Sequence, residues 1–218
     1  MMILFISISS TYGQHIFRPI DPNHRGYPFG KSPYSGPPFL YFGSTVYTYY
    51  TANSLYDSHA AYVDAAFASW NNAGPVQFLR STSGLTLTAE AMDYSDWGPA
   101  LSYPSWNTST FEITPDSASI VLNTNYIWSH TEQHLDISQP ILDVQTMVVH
   151  EAGHIHGLDH PIIGTYAQDA TAPTMAGGDN EYFNNTLDCR SLEMEDIYGT
   201  QFLQLRVSTL FQLGFDER

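Results

Sequence analysis

The chain has 218 residues, 43% hydrophobic and 14% aromatic, which suits one main folded domain and excludes wholesale disorder. It carries 22 Asp plus Glu against 7 Lys plus Arg, for a formal charge of −15, and between Ser32 and Cys189 the only Lys or Arg is Arg80. Such a surface repels phosphate backbones and anionic lipid, so nucleic acid and membrane insertion are set aside, and the single cysteine, Cys189, excludes an internal disulfide.

Residues 1–13, MMILFISISSTYG, contain an apolar run from Met1 to Ile8 that is too short to span a bilayer but fits the core of a signal peptide, with cleavage before Gln14. An extracellular location follows as an expectation. Residues 14–42 are rich in Pro, Gly and Tyr and read as an extended arm or a short pro-segment. From Ser44 to Thr51 the β-branched and aromatic run STVYTYYT predicts a strand. One amphipathic helix is expected next, because Ala60, Val63, Phe67 and Trp70 recur at three- and four-residue steps and Gly74 stands past the end. VQFLR and LTLTAEAM predict two short strands, and ALSY, Ala100 to Tyr103, a third inside a Gly/Pro/Trp/Ser-rich loop. SASIVLNT, Ser117 to Thr124, predicts another strand, and a helix is expected to start near Asp143. A last helix is placed after Ser191 as its N-cap, with Glu193, Glu195 and Asp196 complementing the dipole and Met194, Ile197, Tyr198 and Phe202 as its apolar side. Residues 206–218 form a tail with no readable pattern.

The segment that carries chemistry is VVHEAGHIHGLDH, Val148 to His160. On a helix His150 and His154 lie about 40° apart and one turn apart, so both imidazoles can reach one zinc ion. Glu151 stands about 100° round the axis from His150, unsuited to ligation but able to reach a metal-bound water as a base. Gly157 can take the positive φ that ends a helix, which lets the chain turn and bring His160 back as third ligand. Three protein ligands leave a fourth position open, the mark of a catalytic rather than a structural zinc. His156, about 240° from His150, reads as a surface residue or one standing behind the ligands. His130 and His134 also have one-turn spacing, but no Glu follows His130 directly and the stretch ends in Leu-Asp, so they read as part of a solvated polar loop; His59 reads as a packing or surface residue.

HEAGHIHGLDH resembles the extended zinc signature of the metzincin clan, and the sequence around it is similar to the matrixins, the matrix-metalloprotease-like family. The likeness runs from Ser44 to about Leu205: SASIVLNTNYIW resembles the strand before the active-site helix, TAPTMAGG the Met-turn, and CRSLEMEDIYGTQFL the closing helix. What the resemblance implies is an α+β metzincin, zincin-like fold over residues 43–205. It has a twisted, mostly parallel sheet, an active-site helix and a second long helix. A C-terminal helix lies in a smaller, irregular lower subdomain. It implies Met175 as an apolar floor beneath the metal, and ALSY as an edge strand that pairs with an extended substrate. Ala100, Leu101 and Tyr103 would then contact substrate, and Tyr182 would wall a specificity pocket; packing aromatics explain Tyr103 and Tyr182 equally well. The chain departs from the family in having no cysteine ahead of the catalytic part and no histidine between His59 and His130. Latency through a cysteine and a second, structural zinc are therefore not expected. Asp93 and Asp96 are alternative calcium ligands or solvated carboxylates. The expected activity is that of a secreted, monomeric zinc metalloendopeptidase acting on protein or peptide substrates with Glu151 as general base. The alternative is a secreted zinc-binding module or toxin-like protein with little peptidase activity.

Overall fold

The structure, a computed structural model, describes residues 18–19, 41–92, 99–107, 109–110, 112–131, 141–160, 174–176, 190–194 and 196–201. In chain order the elements are β1 (Arg18–Pro19), β2 (Tyr41–Phe42), β3 (Val46–Thr51), α1 (Ser54–Ser58), α2 (Ala60–Ala73), β4 (Gln77–Arg80) and β5 (Leu85–Glu90). There follow β6 (Ala100–Tyr103), β7 (Glu112–Ile113), β8 (Ser119–Asn123), β9 (Ile127–Ser129), β10 (Ile141–Asp143), α3 (Val144–Ile155) and β11 (Leu158–Asp159), with 3-10 turns at Pro115–Ser117 and Thr174–Ala176.

Five strands form one sheet in the order β4-β3-β5-β8-β6. β4, β3, β5 and β8 are mutually parallel, and β6 runs antiparallel to β8 at the edge. Parallel neighbours such as β3 and β4 need a crossover, which α1 and α2 supply. The class is therefore α+β with a mostly parallel sheet, and ALSY is an edge strand as its position in a turn-rich loop suggested. Alternation along β5 buries Leu85 and Leu87 and leaves Thr86 and Thr88 half-buried. Leu85, Leu87, Ile120 and Leu122 share one core with Phe67 and Trp70 of α2 and Met147 and Val148 of α3. Trp70 also donates its indole N–H to the Val149 carbonyl at 2.8 Å, which fixes α2 against α3.

Three local expectations differ from what is found. The first helix is interrupted: Asn53 caps α1, and His59, at φ −117 and ψ 17, separates it from α2. Ser58 Oγ bonds back to the Leu55 carbonyl at 2.7 Å, the competition between side chain and backbone that weakens a helix at Ser. The closing helix presents a different face. Met194 and Tyr198 are both 54% exposed, whereas Asp196, Gly199 and Thr200 are buried. Its start lies two residues after Ser191: Glu193 donates its N–H to Asp196 Oδ2 (3.0 Å), one half of a capping box, and its carbonyl accepts the helical bond from Ile197 N. His156 is buried rather than on the surface. Its ring stacks on Trp70 at 4.7 Å between centroids and meets Phe42 and Phe78 edgewise or tilted. Helix α3 is enclosed on every side, with Gln145 its one residue outside the buried set, so no face was left for His156 to project into solvent.

Of the Pro/Gly/Tyr-rich arm, Arg18–Pro19 pairs antiparallel with Leu158–Asp159, which lays this piece of chain beside the segment leading into His160. Residues 1–13, Asp93, Asp96, His134, Tyr182, Cys189, Phe202 and residues 206–218 lie outside the described residues. No helix among the described residues is long and apolar enough to cross a membrane.

Candidate metal centre

Helix α3 starts where the sequence placed it. Asp143 is its N-cap, and its carboxylate accepts from the backbone N–H and the hydroxyl of Thr146, both at 2.8 Å. The same carboxylate, fully buried, is ion-paired with Arg190, so the cap is tied to the chain entering the last helix. The helix ends at His156, and Gly157 takes φ 87, the left-handed conformation that turns the chain.

Past that turn the three expected histidines come together. His160 Nε2 lies 2.9 Å from His150 Nε2 and 3.2 Å from His154 Nε2. The other ring nitrogens decide the protonation pattern. His150 Nδ1 is 2.7 Å from the Thr174 carbonyl, and His154 Nδ1 is 2.7 Å from the Leu158 carbonyl. A carbonyl only accepts, so both Nδ1 atoms carry the proton and both Nε2 atoms turn a lone pair toward His160. Burial pushes the His154 imidazole down to about 3, with the neighbouring His150 adding to the shift, so it stays neutral. Two neutral imidazole lone pairs turned toward a third ring nitrogen are the arrangement a cation among the three would use. A metal ~2.0–2.1 Å from each nitrogen in tetrahedral geometry requires nitrogens about 3.3 Å apart, close to the spacing seen. His150, His154 and His160 can hold a metal ion, and they are the only such group of three or more His, Cys, Asp or Glu among the described residues.

Glu151 is 5% exposed beside this trio. Burial raises its carboxyl above the ordinary value, opposed by His150 and by Ser102, whose backbone N–H faces the carboxylate. A carboxylate that is desolvated yet held in place by a backbone donor is suited to accept and return a proton. Ser102 is fully buried on β6, so the edge strand reaches the base directly.

Met175 is buried, and its side chain lies against the one position of α3 with no Cβ: a Cβ on Gly153 would stand 2.1 Å from Met175 Sδ. Its turn is fastened from below by Asp196, whose carboxylate accepts from the N–H groups of Thr174 (2.8 Å) and Met175 (3.3 Å). Burial pushes Asp196 up to about 6 against those hydrogen bonds. Thr174 in turn presents the carbonyl that orients His150.

Of the residues expected to contact substrate, Ala100 and Leu101 are buried in β6 and Tyr103 is 44% exposed at its end. Sequence reasoning missed four contributors. Gly153 had a signal, a glycine inside a helix at a cost of about 1 kcal/mol relative to alanine, which asks for a close neighbour. Asp196 was read as dipole compensation only. Ser102 and Thr174 had no signal, since one acts partly and the other wholly through backbone atoms. Compared with known proteins, the chain matches no family model and no curated protein.

Proposed function

We propose that this chain is a secreted zinc-dependent endopeptidase of the metzincin, matrixin-like type, with zinc held by His150, His154 and His160. The observation that carries the reading is the convergence of three imidazole Nε2 atoms, two of them lone pairs fixed by backbone carbonyls, beside a buried carboxylate. Zinc bound there would polarise a carbonyl oxygen and acidify water. Glu151 accepts a proton from the attacking water and passes it to the leaving amine, and Ser102 holds its carboxylate for both transfers. Strand β6 favours a peptide over another substrate, because a sheet edge offers N–H and C=O groups that an extended backbone can use.

The test is Glu151→Gln, measured for zinc content and for chelator-sensitive cleavage of casein. The expected result is unchanged zinc with turnover reduced by ~100-fold or more. A fully active variant would remove Glu151 from the mechanism. Zinc binding by a wild-type chain that cleaves no protein would favour the binding-module reading.

A further inference from the structure

The structure brings together two histidines that sequence spacing kept apart. His59 stands at the junction of α1 and α2, and His130 follows β9, 71 positions later. Their Nδ1 atoms are 3.0 Å apart, with the rings at 69°. Neither ring is loose. His130 stacks on Tyr62 at 4.3 Å and 19°, and its carbonyl accepts from Arg190 Nη2. Arg190 lies over the Tyr62 ring as well, but its charge is matched by Asp143, so the guanidinium is not an unpaired cation beside the two imidazoles. Both rings are half-buried, leaving a route for solvent.

We propose that His59 and His130 form a second metal site, separate from the catalytic trio, that takes a late first-row divalent cation such as Cu2+ or Ni2+ with solvent in its remaining positions. The Nδ1 separation of 3.0 Å falls within the 2.9–3.2 Å range of the trio, so two metal–nitrogen bonds of ~2.0–2.1 Å let both rings share one cation. The ordinary affinity order of first-row cations for imidazole nitrogen puts copper first, with the other positions left to solvent. Burial lowers the basicity of His59, and His130 lowers it further against the opposing charge of Asp143, so the ring is a neutral ligand at neutral pH. The chain's net charge of −15 raises the local concentration of any divalent cation. None of this depends on the catalytic reading, because neither ring belongs to the trio.

The experiment loads the full chain with zinc and then titrates it with Cu2+ by calorimetry, with electron paramagnetic resonance of the copper. The expected result is a further equivalent whose spectrum shows two nitrogen ligands. His59→Gln and His130→Gln should each weaken that equivalent by ~10-fold or more and leave the zinc content unchanged. Should either variant fold poorly, copper-induced broadening of the His59 and His130 ring signals in the unaltered protein supplies the same test. Absence of the further equivalent, or its retention in both variants, or broadening confined to other histidines, overturns the site. Loss of peptidase activity in Glu151→Gln with the copper equivalent intact separates this site from the catalytic one.

Discussion

Replacing His156 by phenylalanine should change how the stability of this protein depends on pH. The ring is 1% exposed, stacked between Trp70 and the Phe42–Phe78 pair, and burial pushes its pKa from 6.5 down to about 4. Nδ1 donates to the Ala152 carbonyl at 2.8 Å, but that carbonyl also accepts the His156 backbone N–H at 3.0 Å and is not orphaned by the change. Nε2 has no hydrogen-bond partner among the described residues, so the substitution also removes a buried polar atom left unsatisfied there. The sign follows from linkage. Above pH 6.5 the histidine is neutral in both folded and unfolded chains and has no effect on the slope. Between 6.5 and 4 the unfolded chain binds a proton that the folded chain refuses, so stability falls as the pH falls. A difference from 6.5 to about 4 corresponds to about 3 kcal/mol, lost progressively over that window. Urea denaturation of wild type and His156→Phe at half-unit steps from pH 7.5 to about 4 measures it. The variant's curve should be shallower by close to one proton, so the two stabilities diverge by about 3 kcal/mol toward the acid end. Loss of metal through protonation of the ligand histidines is common to both chains and cancels in the difference. Parallel curves across the window would refute the burial of this imidazole.

Two further substitutions probe the centre itself. Gly153→Ala gains about 1 kcal/mol of helix propensity, but overpacking costs about 1–3 kcal/mol, because the new methyl meets Met175 Sδ at 2.1 Å and Trp70 Cζ2 at 2.9 Å. A net loss of up to about 2 kcal/mol is expected in urea, and a Met175→Ala background should relieve much of it; strictly additive losses would contradict the contact. Ser102→Ala removes a hydroxyl that counters the effect of burial on Glu151, so the acid limb of the kcat/KM profile should move to higher pH. An unmoved acid limb would remove Ser102 from the positioning of the base.

How far each feature could be read in advance depends on how local its cause is. The helix across His150 and His154, its start at Asp143 and its end at Gly157 were legible because a cap, a 3.6-residue period and a positive-φ glycine act within a few residues. The main sheet strands were legible for the same reason: short β-forming runs bounded by turn residues set Val46–Thr51, Leu85–Glu90 and Ser119–Asn123. The closing helix was legible as a helix but not in its orientation. Periodicity names the residues that share a face and leaves open what that face meets, and there a buried Asp196, satisfied by backbone donors from the Met175 turn, outweighed exposed Met194 and Tyr198.

The sequence by itself determined the donor set: three imidazoles and a carboxylate whose spacing on a helix and turn makes a common centre physically reachable. Tertiary structure alone decided the rest of the shell. The Thr174 carbonyl fixes the tautomer of His150 from 24 positions away, Ser102 reaches Glu151 from the edge of the sheet, and His59 finds His130 across 71 positions. Whether a polar side chain ends up buried depends on partners brought from afar to satisfy it, and no local pattern records where those partners will stand.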